Sequence, residues 1–148
     1  MSENKQAELD QLRHSAAHLL AAAVMELYPT AKRTIGPAIE NGFYYDFDFG
    51  DTKITDTDLP KIEKKMRQLI TTWKNFERHE LSVDDVKTEF KDNEYKIELI
   101  NEFSGEGQTL TVYQSGAFRD LCRGGHVEEP SKVLKFFKLT KLAGAYWR

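Results

Sequence analysis

Residues 7–28 contain neither Gly nor Pro and are rich in Ala and Leu, the strongest helix formers. Pro29 closes the run. At about 100° per residue on an ideal helix, Leu9, Leu12, Ala16, Leu19, Leu20, Ala23 and Leu27 form one apolar stripe. His14 and His18 stand one turn apart on the roughly opposite side, among Gln11, Ala21, Ala22 and Met25. That second face carries little charge and mostly small side chains, which is not the pattern of a freely solvated face. The expectation is a helix packed on a core by one side and lining a cleft with the other.

Two histidines at i and i+4 can point at one object, whether metal, water or substrate. They can equally be partly buried imidazoles satisfied by nearby carbonyls. A second pair lies far along the chain, Cys122 and His126, within Asp120-Leu121-Cys122-Arg123-Gly124-Gly125-His126. Three of the 4 histidines and the 1 cysteine therefore fall into two pairs with the same offset.

The remaining composition narrows the setting. A length of 148 residues suits one domain with a real core. No stretch approaches the ~20 apolar residues of a membrane span, and the polar N-terminus lacks a signal-peptide apolar region. One cysteine excludes an internal disulfide and fits a reducing, cytoplasmic setting. With a formal net charge of −3, the domain as a whole does not advertise tight nucleic-acid binding; a polyanion would be held by a local patch or by another domain.

Residues 1–6 read as a frayed end or junction. After the first helix, Asn41-Gly42 is a hairpin signal, because both turn positions need positive φ. It precedes a β-prone run, residues 43–49, with Phe43, Tyr45, Phe47 and Phe49 on one face. Tyr45 is then a core phenol with a partner or a cleft residue. Asp58 is placed to cap a helix running to about Lys74, with Lys61, Lys64, Lys65 and Arg67 on its outer face. Residues 76–81 read as a short strand, with His79 at the surface. Ser82 opens a helix to about Phe90, and residues 95–100 form a further short one. Residues 109–113 and 118–122 read as strands, and Gly124-Gly125 lets the backbone turn sharply beside a site. A last strand is expected from Val133, carrying Phe136, Phe137 and Leu139, with Lys132, Lys135, Lys138 and Lys141 as a basic strip. The abrupt aromatic ending, Gly144-Ala145-Tyr146-Trp147-Arg148, looks like a cut inside a larger protein. The fold class is α+β, an antiparallel sheet packed against helices.

Four readings of the two pairs stand open. Two His, one Cys and one more His make a full zinc set, although four protein ligands describe a closed structural site. Alternatively the imidazoles act as general base and acid on a water, with Asp120 orienting one and Lys96 stabilising negative charge. Cys122 with a His could form an acylating dyad, though no oxyanion loop is evident. The bland reading is a polar cluster holding helix to loop.

Four motifs carry a resemblance: Arg13-His14-Ser15-Ala16-Ala17-His18-Leu19-Leu20, Ile35-Gly36-Pro37-Ala38-Ile39-Glu40-Asn41-Gly42-Phe43-Tyr44-Tyr45-Asp46, Asp120-Leu121-Cys122-Arg123-Gly124-Gly125-His126-Val127, and Leu142-Ala143-Gly144-Ala145-Tyr146-Trp147-Arg148. In order over nearly the whole chain, they resemble the editing domain of bacterial threonyl-tRNA synthetases, which is related to alanyl-tRNA editing domains. The resemblance implies an editing domain over residues 7–139, with 140–148 leading toward an aminoacylation domain. Neither that domain nor the small ubiquitin-like domain that usually precedes the first helix is in this sequence. Gly125 stands where many members have Pro, a departure expected to loosen the loop.

By that resemblance the chain hydrolyses the ester between serine and the 3′ end of tRNA for threonine. The physical need is plain, since one methylene-sized difference discriminates by only about 1–3 kcal/mol. The family's editing residues fall on His14, His18, Tyr45, Lys96, Asp120, Cys122 and His126. His14, with Lys96, would position and deprotonate the attacking water and protonate the leaving ribose hydroxyl. His18, Cys122 and His126 would shape the pocket and hold water. Tyr45 and Asp120 would select the seryl group, with Gly36 and Arg123 also on the substrate side. No metal is expected to be required, although zinc is possible at His14, His18, Cys122 and His126. The alternatives are an alanyl-type deacylase acting on seryl- or glycyl-tRNA for alanine, and a non-catalytic zinc-stabilised interaction domain.

Overall fold

The computed structural model describes residues 3–36, 38, 39, 41–107 and 109–144. Helix α1 (Glu3–Leu27) is the spine; it starts one turn before the expected position. Around it run β1 (Lys32–Arg33), β2 (Ala38–Ile39), β3 (Gly42–Phe43), β4 (Phe47–Asp48), α2 (Leu59–Ile70), β5 (Glu77–Glu80), α3 (Val83–Glu89), α4 (Glu94–Gly105), β6 (Thr111–Ser115), β7 (Phe118–Leu121) and the short α5 (Pro130–Val133). The strands pair antiparallel as β1-β4, β2-β3 and β5-β6-β7. This is the α+β class the sequence implied.

The stripe of α1 meets α2 as its spacing requires. Leu19, Ala23 and Met66 are fully buried, and Ile62, Ile70, Trp73 and Leu134 close the same cluster. A side chain of leucine or methionine size contributes roughly 1.5–3 kcal/mol when fully buried, so this seam fixes where α1 lies. The opposite side is not solvent: Ala17 and Ala21 pack against Tyr45. Their small side chains let the aromatic ribbon come close. A second core joins Val86, Phe90, Ile100, Leu110 and Val112 under the three-stranded sheet.

Several local expectations need correction. Ile39 pairs with Gly42, so Gly42 belongs to β3 and is not a turn position as Asn41-Gly42 suggested. Residues 43–49 do not make one strand. β3 pairs with β2, whereas β4 pairs with β1, and Asp46 bridges to Thr34 and Ile35 through backbone hydrogen bonds of 3.0 and 2.8 Å. The alternation survives the break, because Tyr45 stacks on Phe47 and Phe47 meets Phe49. Asp58 does occupy the position before α2, but its carboxylate accepts the Thr55 N–H at 2.8 Å instead of capping α2. α2 stops at Ile70, where the Thr71 and Thr72 hydroxyls donate to the carbonyls of Gln68 and Leu69.

The strand expected from Val133 is absent. Pro130 starts the single turn α5, and residues 134–144 follow without strand pairing. The backbone N–H of Leu139 donates to the buried Glu63 carboxylate at 2.7 Å, so an ionic anchor on α2 replaces a ladder. Phe136 is 95% exposed, against its expected place in the core. Ser82 caps α3 as expected, accepting the Asp85 N–H. His79 is half exposed, beside Glu77. The aromatic ending from Ala145 lies outside the described residues.

Candidate functional site

The two pairs converge. The His14 imidazole Nε2 lies 3.2 Å from the Cys122 thiol, across 108 residues of chain. It also lies 3.2 Å from His18 Nε2, and Cys122 Sγ lies 3.4 Å from His126 Nε2. One donor atom from each of His14, His18, Cys122 and His126 lies within 4.8 Å of all the others. On the helix the four-residue offset produces this, as one turn separates the rings. On the loop, backbone does it. Cys122 continues the ladder through its N–H to Thr111 O and through its carbonyl, which accepts the Thr111 hydroxyl. Gly124 and Gly125 then adopt φ of +105° and +89°. Proline cannot take the second of these values. The glycine at 125 thus permits a backbone form closed to proline.

Behind this quartet is a buried ionic layer. Asp120 on β7 is 1% exposed and Lys96 on α4 is 2% exposed; Lys96 Nζ lies 3.0 Å from Asp120 Oδ1. Tyr45 donates its hydroxyl hydrogen to Asp120 Oδ2 at 2.5 Å and accepts from Lys96 Nζ at 2.9 Å. Tyr45 is therefore the core phenol with a partner. Asn93 sets Lys96: its side chain caps α4 by accepting the Tyr95 and Lys96 N–H groups, and its Nδ2 donates to Arg33 O at 2.8 Å. His18 Nδ1, at 3.6 Å from Asp120 Oδ2, links the layer to the quartet.

For Gly36 and Arg123, expected on the substrate side, the structure shows their packing neighbours. A Cβ on Gly36 would stand 2.3 Å from Tyr45 Cδ2, so Gly36 gives the Tyr45 ring its place. Arg123 is exposed, with its guanidinium 5.0 Å from the Phe103 ring centre. Sequence reasoning missed Arg33, whose guanidinium lies 3.8 Å from Asp120 Oδ1 and donates to Arg119 O at 2.7 Å. It also missed Phe76 and Tyr113, whose rings lie 4.2 and 4.7 Å from that of His126. No local pattern marks these three; only the fold brings them in.

Burial governs the charge states. It pushes His14 below the ordinary imidazole range, His18 down to about 3 and His126 down to about 2. All three imidazoles are thus neutral near pH 7. Burial likewise pushes the Cys122 thiol up to about 12, so it is no thiolate there and makes a poor nucleophile. Burial alone would raise Asp120, but Lys96, Arg33 and His18 outweigh it and hold the carboxyl well below its usual range. Lys96 itself is lowered by burial, against the pull of Asp120.

Two hollows open beside the quartet. One of about 470 Å³ is lined by Ala7, Asp10, Gln11, His14 and Gly125. Another of about 290 Å³ is lined by Phe76, Tyr113, His126, Val127 and Glu128, again with Gly125. The nitrogen and sulfur donors suit a zinc ion, and their mutual spacing fits one with small adjustments.

A helical spine bearing paired imidazoles, closed by a looped Cys/His pair over a buried Lys-Asp-Tyr layer, defines an α+β domain with a built polar site. No family model matches the chain. Similarity to known proteins is nonetheless extensive. A threonine--tRNA ligase of Coxiella burnetii is 55% identical over 95% of this chain and 21% of its own length. One of Thermotoga neapolitana is 52% identical over 92% of this chain and 21% of its own, and one of Dehalococcoides mccartyi is 50% identical over 95% and 24%. The chain is a homologue of one segment of the threonine--tRNA ligases, in line with the resemblance its motifs carry. It spans about a quarter or less of the length of these relatives.

Proposed function

We propose that the chain is an editing deacylase that hydrolyses serine from tRNA for threonine. The observation that carries this reading is the meeting of neutral His14 with Cys122 at 3.2 Å, beside an open hollow and backed by the Lys96-Asp120-Tyr45 layer. A neutral imidazole near pH 7 is a competent general base. His14 borders the hollow and takes a proton from the attacking water, then returns it to the ribose oxygen as the ester breaks. Lys96 supplies positive charge where the ester oxygen becomes negative, held in place by Asp120 and Tyr45. His18 and His126 hold water by hydrogen bonds, and the Cys122 thiol fills the floor without ionising. A zinc ion on His14, His18, Cys122 and His126 would act as a Lewis acid or as a structural tie.

The motif resemblance is what supports serine as the amino acid, with the Tyr45 hydroxyl and the Asp120 carboxylate as the polar groups nearest the quartet that would read a small hydroxylated side chain. Incubating the chain with seryl-tRNA and threonyl-tRNA of the threonine acceptor tests this. Serine release with survival of the threonyl ester is expected; equal hydrolysis of both refutes the reading. Equally fast release from serylated tRNA for alanine would favour the alanyl-type alternative. A zinc-stabilised interaction domain is favoured only if stoichiometric zinc accompanies no deacylation.

A further inference from the structure

We propose that Ser15 is a positioning residue whose hydroxyl ties helix α1, bearing His14 and His18, to the loop bearing Cys122 and His126. The inference rests on the deacylase reading above. Ser15 is 0% exposed, and its hydroxyl both donates and accepts. Oγ donates to the Gln11 carbonyl at 2.7 Å and accepts the Val127 N–H at 3.0 Å, across 112 residues of chain. Because its hydrogen is committed to a helical carbonyl, the oxygen lone pairs face the loop and the sense of the bond is fixed.

The need for such a tie follows from His126. A functional imidazole is ordinarily oriented by a hydrogen bond on the nitrogen that does not act. Nε2 of His126 faces Cys122, but its buried Nδ1 has no hydrogen-bond partner among the described residues. Phe76, stacked at 4.2 Å, and Tyr113, at 4.7 Å, restrict the ring by packing. Neither fixes the backbone, which enters His126 through two glycines at positive φ, the residue type with the widest backbone freedom. The bond at Val127, one residue beyond His126, is what anchors that backbone to the helix. The adjacent residue on the other side of the tie is His14, so one hydroxyl sets the separation of the two rings, whose centres lie 4.6 Å apart.

The test compares Ser15→Ala with Ser15→Thr, which keeps a hydroxyl, at a temperature where circular dichroism shows both fully folded. Ser15→Ala should lower kcat for seryl-tRNA about 10- to 100-fold, the effect of roughly 1 Å of misplacement, with KM changed far less. Val127 amide hydrogen exchange should quicken in Ser15→Ala while Val112 in the sheet keeps its protection. Ser15→Thr should recover both the rate and the protection. Unchanged kcat in folded Ser15→Ala, or unchanged Val127 exchange, overturns the proposal. If the unaltered chain releases no serine, the deacylase reading fails by itself. The exchange measurement still decides the tie: faster exchange in Ser15→Ala than in Ser15→Thr supports it, and equal exchange overturns it.

Discussion

Gly36→Ala is the smallest change that should disable the site without touching any group that does chemistry. The added carbon would lie 2.3 Å from Tyr45 Cδ2 and 2.7 Å from the Tyr44 carbonyl oxygen, where ordinary contact begins at 3.4 Å. Relief requires a shift of about 1 Å. The Tyr44 contact is backbone and cannot rotate away, while the Tyr45 ring is hemmed by Phe47, Ala17 and Ala21. The shift therefore passes to the Tyr45 hydroxyl, opening its 2.5 Å bond to Asp120 and its 2.9 Å bond to Lys96. Overpacking of this kind costs about 1–3 kcal/mol, and a 1 Å misplacement near reacting groups costs about 100-fold in rate. Urea unfolding and single-turnover deacylation of seryl-tRNA measure the two effects. A Gly36→Ala protein with unchanged unfolding midpoint and unchanged rate refutes the packing role assigned here.

Other outcomes follow from the same geometry. His14→Ala and Lys96→Met should each slow serine release by orders of magnitude in a folded protein; near-normal rates in a steady-state assay would remove them from the mechanism. Asp120→Asn leaves the buried Lys96 and the half-buried Arg33 without their counter-charge, a loss of about 3–5 kcal/mol visible as a lower urea midpoint; an unaltered midpoint contradicts the buried pairing. In chelator-treated protein, His18 and His126 stay neutral when folded but bind protons near pH 6.5 when unfolded. The unfolded state then holds more protons below that pH, so stability falls as pH drops from 6.5, by up to about 1.4 kcal/mol per pH unit for each group. Asp120 works in a separate, lower window, its contribution being lost only as pH falls below the usual carboxylate range. Urea midpoints at pH 7 and pH 5 that coincide would refute the neutral assignment. Glu63→Gln removes the charge that accepts the Leu139 N–H, so the Leu139 amide should exchange faster, and unchanged exchange would refute the anchor.

What could be read from residues alone was whatever depends on neighbours in sequence. The α1 helix, its two histidines on one side, the serine cap of α3 and the Gly-Gly turn follow from period, propensity and backbone freedom within a few residues. The pairing of His14-His18 with Cys122-His126 was legible as a matched offset, Lys96, Tyr45 and Asp120 were candidates from their own positions, and the family resemblance then gave them editing roles. Residues 133–139 misled because alternating bulk and charge look the same whether a strand or a tethered strap results. The buried Glu63, which decides between them, lies 76 residues away. The break between β3 and β4 had the same origin, since nothing within 43–49 reveals that Gly36 must pass beneath Tyr45.

The one-dimensional chain thus settled which groups exist for chemistry and which short segments carry them. Only the packed structure decided their charge states, because depth of burial lowers His18 and His126 and raises Cys122, and depth is a property of every element at once. It alone recruited Arg33, Ser15, Phe76 and Tyr113, whose roles arise from distances between segments far apart in sequence. Desolvation and long-range contact have no local signature, and in this protein they are what turn two ordinary residue pairs into one site.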